Sequence, residues 1–450
     1  MFNQKTQNSL TIIRRRANIL SNKIFCCLGV LNRLPRGNKG RYIMDKVRMG
    51  IIGLGQRGAM LLKKVLLTFD DVEITALCDQ FEDRQNDAAA AVREAKGNTP
   101  FLTDDYKKVL ERDDVDAVLI STSWEMHITI SCDAMRAGKI TAMEVGGANS
   151  EEDCWRLVRA YEETKTPFMF MENCCFDRSE SMILNMVRDG VFGKIMFASG
   201  AYSHDLREEV GHGFDIRHYR LRNYMLRNGE NYPTHELGPI AQMLNINRGN
   251  RMESLVSVST AAAGLKEYIN ADEKLKNELG DVTIKQGDVI TTLIKCAGGE
   301  VIQLCLNTTL PTYYTRDIVV RGTKGMYNQL INAVFMDEPH EKEFWTGYEN
   351  AELYMHSAKK YEGKYLPETW KRITPEQIES GHGGMDAIEF RAFIDAAKSG
   401  SPMPVDVYDA AAWMSVTYLS EQSIALGNAV SIPDFTNGKW TFSVDPNMKK

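Results

Sequence analysis

The sequence is poor in the residues that hold metal ions and form disulfide frameworks. It has eight histidines and nine cysteines in 450 residues. The cysteines are odd in number, include two adjacent pairs, and never show the CxxC spacing of zinc sites. A zinc site or disulfide framework is therefore disfavoured, and we expect a reducing compartment, the cytoplasm. His204-Asp205 has no second pair at ligand spacing, so we predict no metal site.

Long apolar runs are also missing, and acidic residues are absent from the first 43 positions. No stretch is long and apolar enough to span a bilayer. Residues 1–43 carry nine Lys and Arg, whereas the rest of the chain has 45 basic against 60 acidic residues, a net charge of −15. A body this acidic does not suit binding to a phosphate backbone. We therefore expect a small-molecule enzyme with neither nucleic-acid nor membrane partners.

The basic N-terminal segment has two interpretations. Three arginines precede a short apolar run from Ile24 to Leu31, which is at the lower limit for a signal peptide, and no small-residue cleavage site follows. Met44 opens a second stretch that looks like a natural start. We interpret residues 1–46 as a disordered extension, with export through this segment as the alternative.

A glycine-rich loop between a predicted strand and a predicted helix gives the first positive signal. The strand "VRMGII" runs into Gly53-Leu54-Gly55-Gln56-Arg57-Gly58, the GxGxxG fingerprint of dinucleotide-binding domains in its expected context. Its glycines allow a tight turn and close backbone approach to a pyrophosphate. A second strand ends in Asp79, 21 residues after Gly58, where a carboxylate binds the adenosine ribose. No basic residue follows Asp79 immediately, so NAD is favoured over NADP. The six loop residues and Asp79 are the expected cofactor contacts.

Alternating strand and helix patterns continue to about residue 173 and predict a Rossmann domain, a doubly wound parallel sheet, over residues 47–173. Residues 174–433 are predicted to form an α+β substrate-binding domain. A helix over residues 174–192 opens it, and its strand-like segments alternate as in an open, mostly antiparallel sheet. We assign residues 434–450 to a C-terminal tail.

Two regions of the predicted second domain bear on where a site would form. Two late helices, "GHGGMDAIEFRAFIDAAKSGSPMP" and "VDVYDAAAWMSVTYLSEQSIALG", are expected to pack back against the first domain. The charged, aromatic-bearing residues 336–374 are interpreted either as a lid or as a long surface excursion.

The motif order of the first half resembles a known oxidoreductase family. GxGxxG, Asp79, "TSWEMH" and "MEV" follow one another as in the glucose-fructose oxidoreductase/inositol dehydrogenase (Gfo/Idh/MocA) family. Expected cofactor contacts beyond the loop are Ser121, Trp124, His127, Glu144 and Asn173. Ordinary dehydrogenases of that family usually carry Glu-Lys-Pro at the last motif, where the lysine assists proton transfer. This chain has Glu144-Val145-Gly146, which counts against simple dehydrogenase chemistry.

The second half resembles one branch of that family, the NAD-dependent α-N-acetylgalactosaminidases of glycoside hydrolase family 109. The resemblance runs from about Val47 to Pro433, and "YPTH-LGP", "NMVR-G-FG" and "GHGGMD" are its specific markers. It implies a cycle in which the C3 hydroxyl of a sugar is oxidised to a ketone, which acidifies the C2 proton. Loss of that proton expels the glycosidic oxygen, water adds, and the ketone is reduced again. The cofactor is not consumed, and the configuration is retained.

The resemblance also assigns roles to residues of the second domain. His235 would face the C3 hydroxyl as acid and base, which suits imidazole because its ordinary pKa is about 6.5. Tyr202 is a candidate base at C2, provided that its pKa is lowered from about 10 by a nearby positive charge. Tyr232, Arg220 and Tyr314 match the family's substrate contacts. The plainer alternatives are a buried, hydrogen-bonded histidine at 235, a sheet aromatic at 202 and a surface ion pair at 220.

Other readings remain open from the sequence alone. The chain is either a redox-cycling glycosidase, an NAD-dependent sugar or polyol dehydrogenase, or a non-catalytic sugar-sensing protein. Glu236 stands where these α-N-acetylgalactosaminidases mostly have glycine, and it could shift the pKa of His235 or bind a further hydroxyl. The sugar, which is the expected small-molecule partner, therefore need not be N-acetylgalactosamine. We also expect a homo-oligomer.

Overall fold

The computed structural model describes residues 44–337 and 354–441, and its first part is the predicted parallel sheet. Six parallel strands lie in the order β3-β2-β1-β4-β5-β6. They are β1 (Val47–Ile52), β2 (Val72–Cys78), β3 (Phe101–Thr103), β4 (Ala117–Ile120), β5 (Ile140–Glu144) and β6 (Phe168–Met171). The helices among them are α1 (Gln56–Lys64), α2 (Glu82–Lys96), α3 (Tyr106–Leu110), α4 (Trp124–Arg136) and α5 (Glu151–Thr164). The order reverses between β1 and β4, and ligands bind at such a point in open α/β sheets.

A second sheet of eight strands confirms the predicted mostly antiparallel architecture. Its order is β13-β12-β11-β7-β10-β9-β8-β14, and within it only β7 and β10 pair in parallel. The strands are β7 (Ile195–Ser203), β8 (Met252–Ser259), β9 (Val289–Cys296), β10 (Val301–Asn307), β11 (Val319–Gly322), β12 (Gly325–Asn328), β13 (Ala333–Met336) and β14 (Val430–Ser431). The last three strands were not predicted, because two to four residues are too few to show an alternation.

Eleven α-helices accompany this sheet in the described part of the chain. They are α6 (Arg178–Arg188), α7 (Arg207–Gly211), α8 (Arg220–Leu226), α9 (Thr234–Met243), α10 (Gly264–Ala271), α11 (Glu273–Leu279), α12 (Glu362–Tyr365), α13 (Glu368–Lys371), α14 (Pro375–Glu379), α15 (Met385–Ser399) and α16 (Val407–Leu426). None of the helices in the described residues is long and apolar enough to cross a membrane.

The helix predicted over residues 174–192 is shorter than expected at both ends. Residues Asn173–Phe176 form a 3₁₀ turn, and α6 begins only after Asp177, whose side chain accepts a hydrogen bond from the backbone N–H of Ser179. This N-cap fixes the start of the helix. At the other end Gly190 adopts a φ of +72°, which a continuing helix does not allow.

The long unassigned segment is partly described. Residues 338–353 lie outside the described residues, as does nearly all of the basic extension, residues 1–43. From Tyr354 to Thr374 the chain forms short helical turns. Trp370 is buried there and donates a hydrogen bond from Nε1 to the Phe176 carbonyl at 2.9 Å. This part of the segment is therefore anchored in the core.

The two late helices lie against both sheets. Phe390, Phe393 and Ile394 of α15 belong to the same buried cluster as Ile51 of β1 and Met171 of β6. Helix α16 packs on α5 of the first domain and on β8 of the second. Beyond it, Phe435 is buried and its ring centroid lies 5.0 Å from that of Trp155 in α5. The two sheets therefore share one continuous core, and the cleft between their edges has rigid walls.

Candidate functional site

The glycine loop after β1 has the shape that a dinucleotide requires. A Cβ on Gly53, whose φ is +96°, would lie 2.5 Å from the Ser121 carbonyl oxygen, and one on Gly58 would lie 2.1 Å from the Gly53 oxygen. Neither position has room for a Cβ, so the tight packing of the loop requires glycine at both. A Cβ on Gly55 would meet only Arg84, at 3.6 Å, so no close packing within the protein demands glycine there. Close approach of a pyrophosphate to the backbone would require glycine at position 55, and the loop residues fit this group.

Asp79 lies beside this loop, at the end of β2. It is buried, and its carboxylate accepts hydrogen bonds from the backbone N–H groups of Leu54 at 2.7 Å and Phe81 at 3.0 Å. The Arg84 guanidinium is 3.9 Å away and also stands over the Phe81 ring. Asp79 thus lies beside the glycine loop, where a carboxylate would be within reach of the ribose of a dinucleotide.

Arg57 connects three segments that are distant in sequence. Its Nε donates to Glu144 Oε1 at 2.9 Å, and its Nη1 and Nη2 donate to the Asp386 carboxylate at 2.8 and 3.1 Å. Asn173 Nδ2 donates to the same carboxylate at 2.7 Å, and His382 Nδ1 lies 2.8 Å from it. The predicted contacts Arg57, Glu144 and Asn173 therefore form one network, which the "GHGGMD" marker completes.

Burial and charge act differently on the two carboxylates of this network. Burial raises the pKa of Glu144 above its ordinary value, and Arg57 only partly opposes this. Burial also works against ionisation of Asp386, but Arg57 and His382 outweigh it and hold the pKa of Asp386 below its usual range. Asp386, which motif reasoning left without a role, is the charge that keeps Arg57 in place.

The remaining predicted cofactor contacts lie around the start of α4. Ser121 Oγ donates to the Gly53 carbonyl at 2.8 Å. His127 is buried, with its ring nitrogens 3.2 and 3.1 Å from the carbonyl oxygens of Gly146 and Thr122, and burial lowers its pKa. Because both nitrogens face the protein's own backbone, His127 supports the loop after β5 and does not itself present a reactive group.

Val145 and Gly146 stand where the resemblance led us to expect lysine and proline, and both lie in a tightly packed turn. Val145 is buried in the hydrophobic core. A Cβ on Gly146 would lie 2.5 Å from Nε1 of Trp124, so the indole occupies the space beside this turn.

His235 stands at the start of α9, on the second-domain side of the cleft. Its Nδ1 is 2.8 Å from Oε1 of Glu172, which is fully buried at the end of β6 and also accepts from the Cys174 backbone N–H at 3.1 Å. Burial would raise the pKa of Glu172, but His235 and the hydrogen bonds hold it below the ordinary value. A carboxylate on Nδ1 fixes the tautomer with Nε2 free for chemistry.

Sequence reasoning missed Glu172, although one signal was available. It follows the buried strand "FMFM" directly, and acidic side chains at the carboxyl end of a buried parallel strand commonly serve a site. Cys174 lies near this pair, and the ligand atoms of Glu172, Cys174 and His235 fall within 4.8 Å of one another. Burial raises the pKa of the Cys174 thiol well above its ordinary value.

The predicted sugar-binding residues come together around His235. The ring centroids of Tyr232 and His235 are 4.7 Å apart, those of Tyr202 and His235 5.4 Å, and those of Tyr202 and Tyr314 6.2 Å. On the far side Tyr232 stacks against Trp124, with centroids 5.7 Å apart. The arrangement is an aromatic wall interrupted by polar tips, which suits a sugar ring.

Arg220 supplies the positive charge of this wall. Its guanidinium stands 5.0 Å from the Tyr232 ring centroid and 5.7 Å from that of Trp124. Nη1 donates to Glu209 Oε1 at 2.7 Å, and the side chain is only 12% exposed. The pair with Glu209 is therefore largely buried and lies at the site, so the plain surface ion pair considered from the sequence is wrong.

A base at position 202 was expected to need a nearby positive charge that lowers the tyrosine pKa, and Tyr202 has the charge without the lowered pKa. Burial raises its pKa above the ordinary value, and Arg220 opposes this without overcoming it. Its hydroxyl lies 3.0 Å from Nδ1 of His204. Asp205, the other half of the possible metal pair, is bound to Arg207 at 2.7 Å instead.

Tyr314 is half exposed, and its hydroxyl is held from behind. The Arg316 Nη1 donates to it at 3.0 Å, while the same guanidinium contacts Glu180 at 2.7 Å and Asp177 at 2.9 Å. Arg316 is a second residue that sequence reasoning missed. Since the Tyr314 oxygen already accepts one hydrogen bond, its O–H remains available to a ligand.

Glu236 does not face the cleft. It is fully buried, and a Cβ on Gly200 of β7 would lie 2.7 Å from its Cβ. Neither of its carboxyl oxygens has a hydrogen-bond partner among the described residues, and the same is true of Glu230. Burial raises the pKa of both, that of Glu230 to about 8. The hypothesis that Glu236 binds a sugar hydroxyl is therefore wrong, since its side chain packs against the sheet.

Comparison with known families matches both domains separately. Residues 47–171 match the oxidoreductase family with the NAD-binding Rossmann fold, and residues 176–442 match the C-terminal domain of glycosyl hydrolase 109. The first domain is thus an NAD-binding domain, as predicted. The resemblances that the sequence motifs indicated are confirmed for both halves of the chain.

Relatives of similar length match nearly the whole chain. A glycosyl hydrolase family 109 protein of Solibacter usitatus is 37% identical over 406 residues, covering 88% of this chain and 89% of its own. An alpha-N-acetylgalactosaminidase of Shewanella oneidensis is 36% identical over 422 residues, covering 90% of each chain.

Solved structures show the same fold at low identity. A levoglucosan dehydrogenase in complex with NADH and levoglucosan matches with a TM-score of 0.65 and 17% identity, covering 86% of this chain and all of its own. A scyllo-inositol dehydrogenase from Lactobacillus casei with bound NAD(H) and scyllo-inositol matches with a TM-score of 0.60 and 13% identity, covering 86% of this chain and 99% of its own. At these identities the likeness confirms the fold class alone.

Proposed function

The chain belongs to the glycosyl hydrolase 109 family, and we propose that it is an NAD-dependent glycosidase acting on an N-acetylgalactosaminide or a related glycoside. One observation carries the proposal: an imidazole oriented by a buried carboxylate, His235 on Glu172, lies in an aromatic cleft between the cofactor domain and the second sheet. A relative named for this activity, from Shewanella oneidensis, supports the choice of sugar.

The first domain would hold the cofactor at the carboxyl edge of its parallel sheet. The residues that would bind NAD are the glycine loop from Gly53 to Gly58, Asp79 at the ribose, and the strand-end residues Ser121, Glu144 and Asn173. When bound, NAD supplies a reversible two-electron oxidation of a sugar hydroxyl. Arg57 orders this edge because it joins the loop to Glu144 and Asp386.

His235 is proposed to move the proton of the sugar hydroxyl that is oxidised. Glu172 holds Nδ1, so Nε2 can take the proton during oxidation and return it during reduction. The absence of a lysine at position 145 leaves this task to the histidine. Tyr232, which is backed by the predicted cofactor contact Trp124, would stack on the sugar, while Tyr314 and Arg220 would bind its polar groups.

A glycosidase also needs a base at the neighbouring carbon. Once the hydroxyl has become a carbonyl, the adjacent C–H is acidic enough for a tyrosine to remove its proton. Tyr202 lies next to His235 and Tyr314 and is proposed for this role. Arg220 would stabilise the negative charge that develops nearby.

The proposal is tested with p-nitrophenyl glycosides of several sugars, without added NAD, while aglycone and NADH absorbance are followed together. Aglycone release without net NADH supports the glycosidase. Stoichiometric NADH without aglycone would instead indicate a sugar dehydrogenase. Tight binding of sugar with neither product would indicate a sensing protein.

His235→Ala separates chemistry from cofactor binding. We expect this variant to lose turnover by at least about 10²-fold, the usual contribution of a general acid or base, while the purified protein keeps its NAD. His356→Ala is the control, because His356 is exposed and lies outside the cleft. Wild-type turnover in His235→Ala would refute the assignment.

A further inference from the structure

Tyr202 and His204 form a hydrogen-bonded pair at the end of β7. They are two positions apart in extended backbone, so both side chains project from the same face. The pairing with β10 continues past the strand, since the His204 backbone N–H donates to the Asn307 carbonyl at 2.9 Å. The Tyr202 hydroxyl is 3.0 Å from His204 Nδ1, and both rings stand edge-on to neighbours in the aromatic wall.

The surroundings decide which partner holds the proton. Burial raises the pKa of Tyr202, and burial together with Arg220 lowers the pKa of His204. At neutral pH the phenol is therefore protonated and the imidazole neutral, so the hydroxyl donates and Nδ1 accepts. The tautomer of His204 carries its hydrogen on Nε2.

Asp205 and Glu209 partly oppose the lowering of the His204 pKa, whereas His235 adds to it. Asp205 is paired with Arg207, and Glu209 is paired with Arg220, so neither carboxylate is bound to the His204 ring. His235 lies across the cleft and is held by Glu172. The neutral imidazole accepts the Tyr202 hydroxyl at Nδ1, which is the atom that would take the proton of the phenol.

We propose that His204 is the proton acceptor of Tyr202, so that the two side chains act together as one base at the sugar C2 carbon. This inference rests on the proposed function and adds a residue to it. The phenolate oxygen would form next to an imidazolium and near Arg220, and both charges oppose the burial that disfavours ionisation of Tyr202.

The elimination begins with a proton transfer inside the pair. The Tyr202 hydroxyl proton passes to His204 Nδ1, and the phenolate oxygen takes the proton of C2. The electrons of the broken C2–H bond form the C1–C2 double bond, while the C1–O bond breaks and its oxygen takes a proton from water. His204 is partly exposed and returns its extra proton to solvent.

The decisive variant is His204→Asn, whose amide oxygen can accept the hydrogen bond of Tyr202 but cannot accept its proton. We measure aglycone release, deuterium incorporation at C2 from heavy water, and absorbance at 340 nm in the NAD-loaded enzyme. We expect the first two to fall at least about 10²-fold, while substrate oxidation persists and 340-nm absorbance accumulates. Tyr202→Phe should give the same pattern, and the double variant should lose no more, because the residues act as a unit.

His356→Asn is the matched control, since His356 is exposed and has a φ of +63°, a conformation that asparagine accepts. It should leave all three signals unchanged. Deuterium incorporation within about threefold of wild type in His204→Asn would overturn the proposal. So would equal loss of the 340-nm signal and of deuterium incorporation, which would place His204 in binding.

An NMR measurement on the ligand-free protein tests the pair without turnover. The ring ¹⁵N shifts of His204 should show a neutral imidazole with hydrogen on Nε2 at pH 7, and Tyr202→Phe should raise the pKa of His204 because a donor to the neutral form is lost. Hydrogen on Nδ1 would overturn the inference. If the wild-type enzyme releases no aglycone, the proposed function fails, whereas this measurement still decides whether the proton-accepting pair exists.

Discussion

Two groups of buried carboxyl side chains lie on the two sides of the cleft, and they differ in how their charge is compensated. On the cofactor side, Glu144 and Asp386 both bind Arg57. Behind His235, Glu230 and Glu236 are fully buried and have no hydrogen-bond partner among the described residues. The first group contains a charge pair, whereas burial keeps the second group protonated.

The two groups differ in what they do for the protein: the charged group orders the cofactor edge, whereas the protonated carboxyls lie in the core and order no segment. A guanidinium between two carboxylates fixes the position of three chain segments, because each of its three nitrogens donates to a carboxylate. Protonated carboxyl groups without hydrogen-bond partners hold no chain segment in place, and their burial costs desolvation free energy. Glu236 lies on this second side, where its side chain packs against the sheet.

The largest effect is expected from breaking the charged group. Arg57→Met leaves Asp386 and Glu144 buried without a cation, which costs about 3–5 kcal/mol of unfolding free energy. Chemical denaturation measures this loss. Arg136→Met, which removes an exposed pair with Glu163, is the control and should cost less than about 1 kcal/mol. Equal losses in the two variants would show that burial of the Arg57 pairs is unimportant.

The second effect falls on catalysis. Glu172→Gln removes the carboxylate that orients His235, and turnover should fall about 10²-fold or more while the protein stays folded. Glu236→Gln, a neighbour of His235 that faces the sheet, is the matched control and should keep turnover within about threefold. Steady-state assays on both variants decide the point. A comparable loss in Glu236→Gln would return Glu236 to the site.

Sequence patterns predicted the parts of this protein that depend on local chemistry. GxGxxG with Asp79 indicated the Rossmann sheet, because tight turns and strand-end carboxylates are set by neighbours in sequence. The lengths of β12, β13 and β14 and the N-cap at Asp177 depend on tertiary pairing and single hydrogen bonds, so they were missed.

The site divides in the same way. His235 and Tyr202 were identified through family motifs, and the structure brings them together. Glu172 and Asp386 were not, because each acts on a partner at least 60 residues away in sequence, and Arg316 was not, because its position depends on the similarly distant Glu180. Glu236 was misjudged because adjacent positions on a helix point about 100° apart, so a neighbour of His235 need not share its cleft.

The third effect is on the pH dependence of stability. The pKa of Glu230 in the folded protein is raised to about 8, so its protonated form stabilises the fold below about pH 4.5 and this stabilisation is lost as pH rises towards 8. Each such proton contributes at most about 1.4 kcal/mol per pH unit. The double variant Glu230→Gln/Glu236→Gln should therefore unfold with a flatter pH profile between 5 and 8, measured by denaturation midpoints. An unchanged slope would mean that the two carboxyls are ionised or hydrated in the folded protein.

The smallest effect runs in the opposite pH direction and comes from a carboxylate that is paired. Asp71 accepts hydrogen bonds from Arg391 at 2.8 and 3.0 Å and from Lys398 at 2.7 Å, and these contacts hold its pKa below the ordinary range. Its stabilisation is present above the unfolded pKa of about 3.8 and is lost as pH falls below it. Asp71→Asn should cost up to about 1 kcal/mol of unfolding free energy at pH 7, since the group is near the surface, and nothing in strong acid.

Asp395→Asn, which removes a more exposed contact of the same arginine, should cost less. A gap between wild type and Asp71→Asn that widens in acid would contradict the paired state, because only a carboxylate kept ionised by its partners loses its advantage when it is protonated.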